Sequence, residues 1–252
     1  LQGVVRLTKN ILLYTFGVEF AGALLFSTVF IKDYGVIKGI GFSLFHAVSS
    51  FCNAGFDLVG DSMVNYVDNP IITFAVCGLI VTGGIGYFVF WDIYASKNFR
   101  MLTLHSKMVI IMTSVLLIGG AIIMYSLEHN NPGTMGRLDM SGKINASIFQ
   151  AVNPRTAGYY SVPLENLRMA TVAITVVLMF IGGSPASTAG GIKTTTFAVL
   201  AVSFYSLVKG KRDFEVFGRR ILPETTIKAA AILLISLLLV LSVSIILAIT
   251  EE

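Results

Sequence analysis

Residues 43–56 read SLFHAVSSFCNAGF, and residues 147–159 read SIFQAVNPRTAGY. Ser43 matches Ser147, Phe45 matches Phe149, Ala47 matches Ala151 and Val48 matches Val152. With one residue skipped, Gly55 meets Gly158. Each stretch is a short apolar segment, 40–51 and 144–152, followed by a small polar residue, an alanine, a glycine and an aromatic. Such segments are too short to cross a bilayer and have the length of a re-entrant or buried helix. A lone Ala-Gly pair would read as a turn with glycine closing a helix. Two copies about 104 residues apart, each behind the same kind of segment, read instead as an internal repeat.

The flanks repeat in the same order. The chain has 252 residues, 55% hydrophobic and 13% charged, with mean hydropathy +0.80, well outside the composition of soluble domains. Apolar stretches of crossing length occur at 71–90, 108–127 and 229–249, and a fourth at 11–31 carries Glu19. A fifth region, 169–208, is interrupted at its centre. The fold class expected is an all-α polytopic membrane protein whose units of helix, re-entrant pore helix, loop and helix repeat around one path. Three divisions are expected: a unit at 1–100, a unit at 101–222 with the interruption, and 223–252 as the first helix of a further unit. The chain opens at Leu1 without a leader pattern and closes at Glu252 just after an apolar run, so a segment of something longer is expected. Cys52 and Cys77 have no pairing or metal-ligand spacing.

Five crossings alternate in direction, and basic residues orient them. One side collects Arg6, Lys9, Lys97, Arg100, Lys107, Lys209, Lys211, Arg212, Arg219, Arg220 and Lys228. The other holds Lys32, Lys38, Arg137, Lys143, Arg155 and Arg168, together with seven acids. The first side is read as cytoplasmic, which places both loops outside. The net charge of +4 thus orients spans, and no nucleic-acid partner is expected.

A short helix descending from outside and ending at Asn53 or Thr156 directs the partly negative end of its dipole inward, which favours a cation. Glycine after it permits φ above zero and leaves room for an ion. Successive carbonyls can then replace part of an ion's water shell. The expected ligands of such an ion are the backbone oxygens of Asn53, Ala54 and Gly55 and of Thr156, Ala157 and Gly158. Phe56 and Tyr159 are expected to brace the loops against neighbouring helices.

The interruption IGGSPASTAGGIKTTTF at 181–197 carries the second candidate site: Gly182, Gly183, Ser184, Pro185, Ser187, Thr188, Gly190, Gly191, Lys193 and Thr194. Proline and glycines weaken a helix here, and irregular backbone at membrane depth must be enclosed by protein or line a cavity. A segment across the path, inward of the second loop, is expected. Lys193 would repel cations or tether the segment to an acceptor. A phosphate-binding loop does not fit, because no G-x-x-x-x-G-K-[ST] pattern can be placed. An interface of small residues between packed helices remains an alternative. Elsewhere, an interhelical partner is expected for Glu19 and a polar contact for His46. Asp57, Asp61 and Asp68 either concentrate cations at an outer mouth or are simply solvated. The Asn145-Ala-Ser147 sequon is taken as accidental.

Taken together, these loops and the 181–197 stretch resemble the membrane subunit of the Ktr/Trk/HKT superfamily of potassium transporters, and within it the bacterial Ktr branch. The resemblance covers essentially the whole chain, as the second unit, the third unit and the first helix of the fourth. It implies potassium uptake across the plasma membrane through a carbonyl-lined filter, with the intramembrane 182–196 loop as gate. It implies no enzyme and no organic cofactor, with sodium as a candidate activator or coupling ion. It also implies a homodimer in the lipid bilayer on a cytosolic ring of nucleotide-binding regulatory subunits, for which the basic loop 209–220 is a candidate contact. Tyr159 departs from the phenylalanine usual after the filter glycine, a change expected to affect packing mainly. A pore made of these residues alone would be incomplete. Two other classes stay open: an ion-coupled secondary transporter binding a small solute at the broken helix, and a membrane assembly subunit without transport.

Overall fold

A computed structural model describes residues 2–96, 98–210 and 214–250, with Gln2 and Phe214 described in backbone only. Lys97, Lys211 and Arg212, three of the basic residues used to orient the spans, lie outside the described residues.

The first four helices are α1 (Gln2–Tyr34), α2 (Val36–Phe51), α3 (Pro70–Ile85) and α4 (Tyr87–Ser96). The next four are α5 (Leu104–Glu128), α6 (Met140–Val152), α7 (Met169–Phe180) and α8 (Thr194–Val208), followed by α9 (Pro223–Thr250). Among the described residues α1, α5 and α9 are long and apolar enough to cross a membrane. Both expected short helices are present as α2 and α6.

Local chemistry sets several boundaries. Asn69 caps α3, its side-chain oxygen accepting from Ile71 N at 3.0 Å and Ile72 N at 3.3 Å, with Pro70 at the first helical position. Asp139 caps α6 by accepting from Gly142 N at 2.6 Å. The C-terminal end of α5 is fixed by Glu128, whose buried carboxylate accepts from Asn131 Nδ2 and Thr134 Oγ1, both at 2.6 Å, from Arg168 N at 3.0 Å and from Thr171 Oγ1. One side chain therefore joins α5 to the start of α7. The sequence reading did not single it out, since a glutamate at a span end looks like any solvated residue.

These two sets of helices share one core. Phe26, Phe30, Phe51, Ile72 and Val76 of the first pack in the same cluster as Phe149, Val152, Ala157 and Tyr159 of the second. Within a bilayer such contacts hold by close side-chain packing rather than by exclusion of water, and the shared cluster makes the repeats one body.

Two expectations change. The stretch 71–90 is not one uninterrupted crossing: the chain bends by 91° between α3 and α4, at Gly86 with φ 89°. The basic loop 209–220 contains an antiparallel hairpin, β1 (Phe214–Val216) and β2 (Arg219–Ile221), pairing Val216 with Arg219. Its turn residues Phe217 and Gly218 both have positive φ, 49° and 72°, the geometry that matches the twist of a tight hairpin. Ile221 anchors it among Met108, Ala198, Val199 and Ala229.

Candidate functional site

The last turn of α2 delivers the first loop, and the last turn of α6 the second. Ala54 N donates to Ser49 O at 2.9 Å, and Ala157 N donates to Asn153 O at 3.1 Å, so each loop is tied back to its own helix. Asn53 and Gly55 have φ of 52° and 71°, and Thr156 and Gly158 have 68° and 85°. Ala54 and Ala157 do not share this region. The same alternation therefore appears in both loops, beginning two residues before the glycine. Asparagine tolerates the left-handed region, but a β-branched threonine there is uncommon.

The loops face each other at their glycines. A Cβ added to Gly55 would collide with Ala157 O and lie 2.7 Å from Gly158 Cα, while one on Gly158 would lie 3.3 Å from Gly55 Cα and 3.7 Å from Ala54 O. The carbonyl oxygens of Asn53, Ala54, Gly55, Thr156, Ala157 and Gly158 accept no hydrogen bond from any described residue. Backbone oxygens left without a donor carry partial negative charge, so a row of them on two touching loops is chemistry that suits a cation.

Tyr159 sits behind this row, 1% exposed. Its hydroxyl donates to Phe56 O at 3.0 Å, and its N–H donates to Asn153 Oδ1 at 2.6 Å. The phenol therefore does more than pack, because it bonds one loop to the other. Phe56 departs from expectation in the opposite way. Its ring is 69% exposed among the described residues and braces no helix there. Its carbonyl is the anchored part, accepting from Ser49 Oγ at 2.8 Å as well as from Tyr159. Just past the loops, Met63 N donates to Tyr160 O and Tyr160 N to Ser62 Oγ, each at 3.0 Å.

The 182–193 segment lies at the helix ends that carry the loops. Its neck is closed by Gly182 N to Ile192 O, Gly183 N to Gly190 O and Ile192 N to Phe180 O, each at 3.1 Å. Inside the neck, Ser184 and Thr194 share a hydroxyl bond at 2.9 Å. Pro185 and the strained Ala186 (φ 56°) form the tip, packed on the α3–α4 bend. There Ser184 N donates to Gly84 O at 2.9 Å and Thr188 N to Gly83 O at 3.2 Å. Gly191, with φ 70°, has its Cα against Gly182, where a Cβ on Gly191 would come within 2.8 Å of Gly182 Cα. Lys193 Nζ donates to Ala189 O at 2.7 Å, so its ammonium ties the segment to itself. The Ser187 hydroxyl is enclosed and has no partner among the described residues.

Direct bonds join this segment to the loops. Thr188 Oγ1 donates to Phe51 O and accepts from Asn53 Nδ2, both at 2.9 Å. Gly190 N donates to Thr156 Oγ1 at 3.0 Å, and Arg155, 5% exposed, donates through Nη2 to Gly182 O at 3.2 Å. The structure thus brings together the two sets of residues that the sequence placed about 30 and about 130 positions apart. Sequence reasoning missed the α3–α4 bend as the seat of this segment. The signal was the run GGIG at 83–86, a cluster of weak helix formers inside an otherwise apolar span.

Other singled-out residues are more local. His46 is fully enclosed, with Nδ1 2.7 Å from Phe42 O and Nε2 accepting from Leu58 N at 3.4 Å, so its polar contacts go to its own helix and the following loop rather than to the surrounding helices expected to supply them. Asp57 Oδ1 closes the turn after the first loop by accepting from Val59 N and Gly60 N. Glu19 is buried without a hydrogen-bond partner among the described residues, beside Leu13, Phe16, Phe20, Leu44 and Val48, so the interhelical partner expected for it is not found there. Asn145 is enclosed within α6 at 4% exposure, where the sequon has no room for a glycan.

Residues 1–251 match the family model TrkH, described as cation transport protein. The potassium/sodium uptake protein NtpJ of Enterococcus hirae is 40% identical over 251 residues, covering 100% of this chain and 55% of that protein. The Ktr system potassium uptake protein B of Bacillus subtilis is 40% identical over 250 residues, covering 99% of this chain and 56% of its own length. The chain spans about half the length of these curated relatives. The crystal structure of the potassium transporter TrkH from Vibrio parahaemolyticus shares the fold, with a TM-score of 0.68 at 17% identity over 90% of this chain and 47% of that one.

Proposed function

Because this chain belongs to the TrkH family of cation transport proteins, we propose that it forms part of a potassium-conducting path in the plasma membrane. In this reading residues 53–56 and 156–159 are two walls of a selectivity filter, open to the outside, and residues 182–196 are a gate on its cytoplasmic side. The observation that carries it is the pair of facing loops whose six carbonyls, Asn53 to Gly55 and Thr156 to Gly158, are unpaired while their alanine N–H groups are bonded back to α2 and α6.

The physics of selection follows from that arrangement. A dehydrated potassium ion needs several oxygen dipoles at fixed separation. Here the loops are held from behind by Tyr159, Asn153 and Ser49, so the oxygens resist collapsing onto a smaller ion. The C-terminal ends of α2 and α6 add partial negative charge from the inner side. Further walls come from the remainder of a four-unit path, of which residues 1–100 and 101–222 supply two units and 223–252 the opening helix of another. One relative, named for both potassium and sodium uptake, supports treating sodium as an activator or coupling ion. A homodimer on a cytosolic nucleotide-binding ring is part of the same reading, with the hairpin at 214–221 as its candidate contact.

The test is potassium uptake by the complete protein in transport-deficient cells. Gly55→Ser and Gly158→Ser should each lower potassium-over-sodium preference or apparent affinity. If neither changes while the protein reaches the membrane, the filter assignment is wrong.

A further inference from the structure

The first residue of each loop spends its side chain on the segment beneath. Asn53 and Thr156 occupy equivalent places in the repeat and both hold left-handed backbone, φ 52° and 68°. Neither side chain braces the loop against a neighbouring span. Asn53 Nδ2 donates to Thr188 Oγ1, and Thr156 Oγ1 accepts from Gly190 N. Two residues apart in one segment, Thr188 and Gly190 therefore grip the two loops at matching points.

Thr188 makes the tighter junction. Its hydroxyl proton goes to Phe51 O, the last carbonyl of α2, while its oxygen accepts from Asn53. One hydroxyl therefore masks the negative end of a helix aimed at the ion path and also fixes the side chain that begins the first loop. Its backbone N–H is held by Gly83 O, which seats the hydroxyl by a contact outside both loops.

We propose that Thr188 is a specificity-determining residue, a latch through which the position of the 182–193 segment sets the ion preference of the two loops. This rests on the filter-and-gate reading above. With the segment seated, Asn53 and Thr156 are held in backbone geometry that a non-glycine residue adopts only under constraint, and the facing carbonyls keep their spacing. When the segment moves aside, both holds are lost together. Phe51 O is released to face the path, where it attracts a cation, and the loops relax. Opening therefore alters which ion is held as well as how fast it passes.

The experiment compares Thr188→Val, which keeps the shape and loses the hydroxyl, with Thr188→Ser, which keeps the hydroxyl. Each is introduced into the complete protein in potassium-uptake-deficient cells, with membrane abundance measured by immunoblot. The readouts are half-saturation for potassium and competition by sodium. Thr188→Val should shift one of these on the order of threefold to tenfold, the equivalent of one net hydrogen bond, and Thr188→Ser should restore it. Thr156→Val repeats the test on the second loop without adding backbone strain, since threonine is already β-branched. If the valine variants change only the maximal rate, or if serine behaves as valine does, the latch is refuted. When Gly55→Ser shifts preference in the same assay but Thr188→Val does not, the filter stands and the latch falls. If neither shifts it, the filter reading itself falls.

Discussion

The hydroxyl of Tyr159 donates to the backbone carbonyl of Phe56 at 3.0 Å, a bond between loops 103 positions apart in sequence. Only a phenol can make it, because phenylalanine at 159 would fill the same space and leave the carbonyl one donor short. The residue that looks like a neutral change of packing is thus a strut between two halves of the candidate ion path.

Tyr159→Phe should loosen that strut without unfolding the protein, since Ser49 still donates to Phe56 O. The loss is about 0.5–1.5 kcal/mol. The expected outcome is a potassium half-saturation raised roughly twofold to tenfold, at unchanged membrane abundance. Uptake kinetics identical to those of the parent would show that the bond does not position the loop.

The two glycine substitutions should differ in severity. At Gly55 a Cβ collides with Ala157 O and crowds Gly158 Cα, whereas at Gly158 its nearest neighbour is 3.3 Å away. Both positions carry positive φ, so strain is common to both and the clash separates them. Gly55→Ser should lose more potassium preference than Gly158→Ser when sodium and rubidium uptake are compared in the same cells. The reverse order would mean that the loops do not meet as described.

Deleting residues 184–191 removes Thr188 and Gly190, and with them the bonds to Phe51, Asn53 and Thr156. Unregulated flux should rise, and sodium should compete better for the path. A deletion that lowers or preserves flux would argue that the segment supports the pore rather than closing it.

The α3–α4 bend gives a stability test independent of transport. Gly86 has φ 89° in the structure, and a Cβ there would sit 2.9 Å from both Pro185 O and Ala186 O. Gly35 also has positive φ, 77°, but faces open space. Gly35→Ala should show the conformational penalty alone, on the order of 1–3 kcal/mol, and Gly86→Ala visibly more. Thermal unfolding of the detergent-purified protein measures both, and equal shifts would mean that the 182–193 tip does not rest on the bend.

Much of the fold is legible in the residues because bilayer crossing is a local requirement. Length and apolarity specify α1, α5 and α9, and segments too short to cross specify α2 and α6. The repeated Ala-Gly loops and the Gly/Ser/Thr interruption mark the candidate site for a similar reason, since broken backbone must be explained wherever water is absent. Residues such as Glu128 and Arg155 carry no comparable signal, because a charged side chain in sequence gives no indication of whether its partners will enclose it.

What the tertiary structure alone decided is which of these pieces touch. Thr188 and Asn53 lie 135 positions apart and Gly84 and Ser184 a hundred, and no periodicity relates them. Their bonds at 2.9 Å exist because α3 bends at Gly86 and offers its freed carbonyls to the interruption in the other unit. A helix carries its own hydrogen-bonding rules within four residues, but a break leaves donors and acceptors that must be satisfied elsewhere. Where each finds its partner depends on how the two repeats pack around their shared core.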